Sequence, residues 1–260
     1  MIATGLGRQL LTRAGIGKAA NFNIQVSAFG FDLEVASPAF FDANVLVMHG
    51  EAPSDKIDYL TVFAIDNRIR GNLFTYHDPD DPWTQSLRQK PRETIRRMMP
   101  HIEDITGSIR SVGPVEYRFV DLTGATGHRR DGVVLIGDAF QISSPAAGTG
   151  VSRLLSDIDR LCNVFVPQWL GTTGMDASKI GQFYDDGLKQ GSDAEALRVA
   201  GYRRAVTIET SLGWRAHRGR VALQTRFLSG LARLTARRQP GQISMAPSWL
   251  GSGMEPPPLR

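Results

Sequence analysis

From residue 22 to about residue 76, apolar and polar positions alternate with the two-residue period of strands. Phe22, Ile24, Val26 and Ala28 alternate with Asn23, Gln25 and Ser27, which predicts a half-buried strand with the first set inward. Residues 43–48 form a short apolar run, and residues 59–65 are apolar on both faces. Residues 68–76 follow Asp66-Asn67, a pair suited to a hairpin turn. Four strands with short connections imply an antiparallel sheet. Asp78-Pro79-Asp80-Asp81-Pro82 ends it and supplies helix N-cap chemistry. Helices are predicted over residues 83–87 and 92–105, the second with Ile95, Met98, Met99 and Ile102 on one side. Residues 109–122 read as extended and 132–136 as a short apolar strand. Beyond Gly148 almost everything reads as helix.

The start of the chain has two readings. Ile2-Ala3-Thr4-Gly5-Leu6-Gly7-Arg8 is either the end of a buried strand entering a glycine turn, or a flexible start with a chance glycine pair. Residues 9–14 follow as a short helix, stopped by Gly15 and Gly17.

Composition narrows the function classes. The 260 residues are 42% hydrophobic and 22% charged, ordinary for a globular protein with a large core. No apolar run reaches membrane-spanning length, and the amino terminus lacks the plan of a secretory signal. The one cysteine, Cys162, rules out an internal disulfide and suits the cytoplasm. His49, His77, His101, His128 and His217 lie too far apart for a metal site by spacing, so none is expected. A net charge of +4 is too mild to imply nucleic acid. The excess is uneven: between Ala196 and Pro240 there are ten arginines and one acid, Glu209. There Leu223, Phe227, Leu231 and Leu234 share a helical face, with Arg226, Arg233 and Arg237 beside it. That helix is either a solvated outer face packed by its leucines or a peripheral contact with an anionic membrane surface.

Candidate chemistry concentrates in Gly132-Val133-Val134-Leu135-Ile136-Gly137-Asp138-Ala139-Phe140 and the following Gln141-Ile142-Ser143-Ser144-Pro145-Ala146-Ala147-Gly148-Thr149-Gly150. The aliphatic stretch suits a parallel strand buried on both faces. Asp138 then falls at the strand's carboxyl end, where open α/β sheets bind ligands, and its carboxylate can accept hydrogen bonds from sugar or polyol hydroxyls. Pro145 stiffens the loop. Gly148 and Gly150 let backbone N–H groups approach a ligand at a helix N-terminus. The stretch is neither a dinucleotide fingerprint, a phosphate-binding P-loop nor a nucleophile elbow. The plain alternative is a strand, an aspartate turn and an ordinary helix.

Gly137-Asp138-Ala139, Pro145 and Gly148-Thr149-Gly150 resemble the second FAD-binding motif of the flavoprotein monooxygenases similar to para-hydroxybenzoate hydroxylase, in order and spacing over fourteen residues. The resemblance implies that Asp138 binds ribityl or ribose hydroxyls of FAD. It implies that Pro145, Gly148 and Gly150 line the isoalloxazine, and that the helix dipole favours the anionic reduced ring. Arg8 stands where that family has an Asp-Gly motif ending in arginine, but Thr4 replaces its aspartate, which bears on NAD(P)H as electron donor and leaves a separate reductase as the alternative. Gln141 replaces a histidine and cannot titrate. The family's amino-terminal Gly-x-Gly-x-x-Gly has no counterpart here. Met1 is therefore expected to be an internal or misassigned start, or the chain a gene fragment, binding FAD weakly alone.

The expected fold is α/β: a partial dinucleotide-type FAD domain with an inserted antiparallel substrate sheet and C-terminal helices. The expected divisions are residues 1–20, the end of an amino-terminal FAD segment; 21–122, the substrate sheet with helices; 123–170, the second FAD segment; 171–245, helical; and 246–260, a tail. The expected function is an FAD-dependent oxidoreductase, a monooxygenase acting on an aromatic or other hydrophobic small molecule. The alternatives are a flavin-dependent reductase or halogenase relative, and a non-catalytic remnant that binds a partner or membrane. Candidate substrate residues are Phe63, Phe74, Tyr76, Tyr117 and Phe119, with Arg70 or Arg118 to fix an acidic group; the other reading of these aromatics is sheet core.

Overall fold

A computed structural model describes residues 1–20, 24–35, 45–65 and 68–236, with the backbone alone at 35, 105 and 225–236. The chain divides into two compact units, Met1–Thr207 and Ile208–Arg260.

In the first unit, β1 (Gly17–Ala19) is followed by β2 (Gln25–Val35), β3 (Val45–His49), β4 (Ile57–Ile65), β5 (Arg68–Thr75), β6 (Ile109–Asp121) and β7 (Gly124–Thr126). Strands β2 to β6 form an antiparallel sheet in the order β3-β4-β5-β2-β6. One sheet face is sealed by the helices Pro82–Gln89 and Pro91–Met98 and by Ile102. Leu87, Ile95, Met99 and Ile102 bury themselves there on Phe29, Phe31, Leu33, Leu60, Val62 and Leu73. Burial of this kind contributes roughly 1.5–3 kcal/mol per large side chain, which is why the sheet holds its register.

Three predicted elements are corrected. In β2 Val26 is fully buried as expected, but from Ser27 onward the inward set is Phe29, Phe31 and Leu33, and Ser27 in phase with them is fully buried, its hydroxyl donating to the His77 carbonyl at 2.6 Å. The two phenylalanines outweigh the weaker alternation before them, in which Ala28 is only half-buried; Phe22 and the Asp66-Asn67 turn lie outside the described residues. The single helix expected over 92–105 is two, Pro91–Met98 and Ile102–Thr106. Pro100 has no N–H to donate and disfavours helical geometry at Met99, which sits at φ −136° and ψ 70°. Residues 59–65 bury one face fully, at Leu60 and Val62, while Tyr59, Thr61 and Phe63 on the other face are half-buried. The helix Pro82–Gln89 starts as its acidic lead-in suggests: the Asp81 carboxylate accepts from the Trp83 backbone N–H at 2.9 Å.

The sheet rises from a two-stranded base. β1 and β7 pair antiparallel, Ala19 opposite Gly124, so the chain enters and leaves the sheet at adjacent points. Beneath them Ile2 bridges Leu135 in parallel, with Ile2 N–H to the Val134 carbonyl at 2.8 Å and Ile136 N–H to the Ile2 carbonyl at 3.2 Å. Val134, Leu135 and Ile136 are buried, but they make isolated bridges in place of a continuous ladder. Besides the short helix Gln9–Arg13 and the helices between β5 and β6, the α-helices of this unit follow Thr149: Gly150–Arg160, Val166–Leu170 after a π-turn Leu161–Phe165, Ala177–Tyr184 and the long helix Gly187–Ile208.

In the second unit the helix Leu212–Ala236 forms, with Trp214 edge-on to His217 and Arg218 donating to the Glu209 carbonyl at 2.7 Å. Leu223 is exposed; the side chains of Arg226, Phe227, Leu231, Arg233 and Leu234, and Arg237 entirely, lie outside the described residues. Among the described residues no helix is long and apolar enough to cross a membrane, and none forms a cluster that could hold a metal.

Candidate functional site

The segment with most chemistry is a turn closed at both ends by glycine. Gly137, at φ +58°, follows the extended Ile136, and a side chain there would press on Leu154 at 3.0 Å. Its N–H is held by Asp157 at 2.8 Å. Asp138 comes next, about one-third exposed, then the fully buried Ala139. One Asp138 oxygen, Oδ1, accepts from the Ser143 N–H at 3.0 Å and from Arg153 at 3.3 Å. Among the described residues nothing donates to Oδ2. The loop then makes a single 3-10 turn, Pro145–Ala147, and reverses at Gly148, at φ +67°, where a side chain would meet open space. Thr149 and Gly150 open the helix Gly150–Arg160.

Among the described residues, two buried hydroxyls in this turn, Ser144 Oγ and Thr149 Oγ1, have no hydrogen-bond partner, and a third, Thr123 Oγ1, belongs to the segment that pairs with Ile142. Buried polar groups are nearly always satisfied, and leaving one unpaired costs about 1–3 kcal/mol. The turn thus combines an open reversal at Gly148 with a carboxylate that has one oxygen engaged.

Sequence reasoning missed Lys18. Its ammonium donates to the Asp138 carbonyl at 2.7 Å and reaches the Phe140 carbonyl at 3.5 Å. Burial lowers its pKa from 10.5 to about 8, with Asp138 opposing and the cations Arg8 and Arg153 adding to the fall. Arg8 itself is exposed, and among the described residues no side-chain hydrogen bond joins it to the turn. Gln141 is buried and donates to the Asp193 carbonyl at 3.2 Å.

The sheet presents its other face to this turn. The Tyr59 hydroxyl donates to the Ala146 carbonyl at 3.2 Å, and the Tyr59 ring lies 4.9 Å from Phe74, 5.9 Å from His49 and 4.7 Å from the Arg203 guanidinium. Phe63 is on the same face, opposite Arg70. Neither expected acid anchor is set up as such. Arg70 is shared between Asp32 at 3.2 Å and Glu116, and Arg118 is exposed opposite Ala28. Tyr76 is buried and donates to Asp58 at 3.4 Å, with its phenol pushed upward by burial. Tyr117 and Phe119 do not share a wall with Phe63 and Phe74. They pair with Phe29 and Ser27 on the helix-covered face, where Arg88 stacks on Tyr117 at 4.0 Å. Strand register across the sheet decides this, and alternation within one strand does not show it.

No protein-family profile matches the chain, and no curated protein sequence matches it. Solved structures do. The flavin-dependent brominase Bmp2, as a triple mutant, aligns at 14% identity and TM-score 0.55 over 86% of this chain and 62% of its own. p-Nitrophenol 4-monooxygenase PnpA from Pseudomonas putida DLL-E4 aligns at 18% identity and TM-score 0.55 over 83% and 52%. Aklavinone-11 hydroxylase, in a ternary complex with FAD and aklavinone, aligns at 20% identity and TM-score 0.52 over 77% and 37%. The chain thus has the fold of FAD-dependent monooxygenases and flavin-dependent halogenases, and spans between about a third and three-fifths of their length.

Proposed function

We propose that this chain forms the ribityl and isoalloxazine side of an FAD site in a flavin-dependent oxidoreductase, a monooxygenase acting on an aromatic or other hydrophobic small molecule. The observation that carries the reading is the turn from Gly137 to Gly150: a part-exposed carboxylate with one oxygen pinned and, among the described residues, no donor to the other, beside an open left-handed glycine. Those residues suit the group. Asp138, about one-third exposed, has Oδ2 to accept from a polyol hydroxyl, and Gly148 leaves room for a flat ring. Bound FAD would supply electron transfer and activation of dioxygen.

The chain's own part is to bind and to exclude water. The helix starting at Gly150 directs its positive end at the turn, which favours negative charge there. Tyr59, Phe63 and Phe74 form the apolar wall on the sheet side, suited to a ring of the kind named in p-nitrophenol 4-monooxygenase. NAD(P)H, directly or through a separate reductase, is the proposed electron source. Halogenation is a second reading, favoured by the likeness to the brominase.

Titration with riboflavin, FMN and FAD, read by flavin fluorescence, tests the site. Asp138→Ala is expected to weaken binding about 10- to 100-fold, the effect of a hydrogen bond to a charged group. Flavin binding that ignores this substitution, or no binding at all, would sink the proposal. NAD(P)H oxidation with phenols, oxygen and bromide then separates the readings by whether the product is hydroxylated or brominated.

A further inference from the structure

Beneath the turn lie four charged side chains that the flavin reading does not use: Arg153, Lys189, Asp157 and Asp193, all buried. They alternate in sign along a chain of contacts. Arg153 meets Asp193 at 2.9 Å, Asp193 meets Lys189 at 3.0 Å, and Lys189 meets Asp157 at 2.9 Å. Arg153 and Asp157 come from the helix Gly150–Arg160, and Lys189 and Asp193 from the long helix Gly187–Ile208. Buried ion pairs seldom stabilise a fold more than apolar packing of the same volume, so a chain of four calls for another role.

Both ends of the chain of contacts reach the turn. At one end Asp157 holds the Gly137 N–H at 2.8 Å. At the other, the Arg153 guanidinium spreads over three parts of the loop: Nε to Ser143 Oγ at 3.0 Å, Nη2 to Asp138 Oδ1 at 3.3 Å, and Nη2 to the Gln141 carbonyl. A planar fork of five N–H donors can do this at once, and a lysine ammonium cannot.

We propose that Arg153 is a positioning residue of the ligand site: it pins Oδ1 of Asp138, which fixes Oδ2 as the oxygen offered to a ligand's hydroxyl, while Lys189, Asp193 and Asp157 hold the guanidinium in place. This rests on the flavin reading and deepens it, because it names the part of the ligand that Arg153 controls. A carboxylate free to rotate would offer either oxygen, whereas this one is presented in a single orientation for the ribityl chain.

The test compares riboflavin with lumiflavin, which has the same ring and a methyl group in place of the ribityl chain. Arg153→Met and Arg153→Lys are each expected to weaken riboflavin binding about tenfold, with lumiflavin changed less than about twofold. In an Asp138→Asn background, either Arg153 substitution should alter riboflavin binding less than about twofold, because the two residues then act as one unit. Equal losses for both flavins, or an Arg153 effect undiminished in that background, overturn the proposal. So does loss of folded protein in both Arg153 variants, judged by circular dichroism, since the guanidinium is then a structural part only. A wild-type chain that binds neither flavin, or binding insensitive to Asp138→Asn, instead overturns the flavin reading itself.

Discussion

Lys18 carries a charge under strain from its surroundings. Its ammonium gives up water to sit against two carbonyls of the Asp138 turn, and burial lowers its pKa to about 8. Reductive methylation with labelled formaldehyde followed by NMR titration is expected to place this one lysine near 8, apart from the ordinary value of about 10.4. A titration at 10 or above would show that the ammonium is not held beneath the turn. Single residues differ in how far their neighbours along the chain explain them. Gly137, Asp138, Pro145, Gly148 and Gly150 could be picked out because each answers a local demand, a reversal, a stiff loop or a helix start. Lys18, Arg153, Lys189 and Asp193 could not. Lys18 lies 120 positions from Asp138, Arg153 10 to 40 from its partners and Lys189 32 from Asp157, and the visible four-residue spacings Arg153/Asp157 and Lys189/Asp193 read as everyday helix-surface pairs.

Among elements, β4 and the long helix Gly187–Ile208 are tied by a buried pair, with Arg203 Nε 3.1 Å from Asp58 Oδ2. Burial raises the Asp58 carboxyl from 3.8 to about 6 against the pull of Arg203. A raised acid pKa means that the folded state holds the extra proton between these values, so this group's contribution to stability falls as pH rises from about 4 to about 6 and is level above. The stability of wild type relative to Asp58→Asn should therefore fall by up to about 3 kcal/mol across that window, from roughly two units at 1.4 kcal/mol each. Urea unfolding at pH 4, 5, 6 and 7 measures it, and a flat difference would refute the assignment. The antiparallel sheet and its capped helix were legible from alternation and from Asp81-Pro82. The phase of β2, the break at Pro100 and the separation of Tyr117 and Phe119 from Phe74 were less so. The first was settled by packing on Phe29 and Phe31, and the last by pairing between strands remote in sequence. Pro100 was visible, but the apolar stripe running through Ile95, Met99 and Ile102 continues across it as if the helix were unbroken.

At the scale of the first unit, the sheet touches the turn through the phenol of Tyr59, whose hydrogen bond spans 87 positions of sequence. Tyr59→Phe keeps the ring against Phe74 and removes only that bond. It is expected to lower stability by about 1 kcal/mol in urea unfolding, and no change would mean that the contact contributes nothing to joining the two parts.

The narrow base formed by β1 and β7 gives the sheet the character of a cassette. Everything between Ala19 and Gly124 departs from and returns to one antiparallel doorway, and closing a longer or shorter excursion through such a doorway alters the entropy only slowly with length. A lineage could therefore exchange the whole excursion, and with it the shape of the chamber above the turn, while leaving the charged foundation and the aspartate loop untouched.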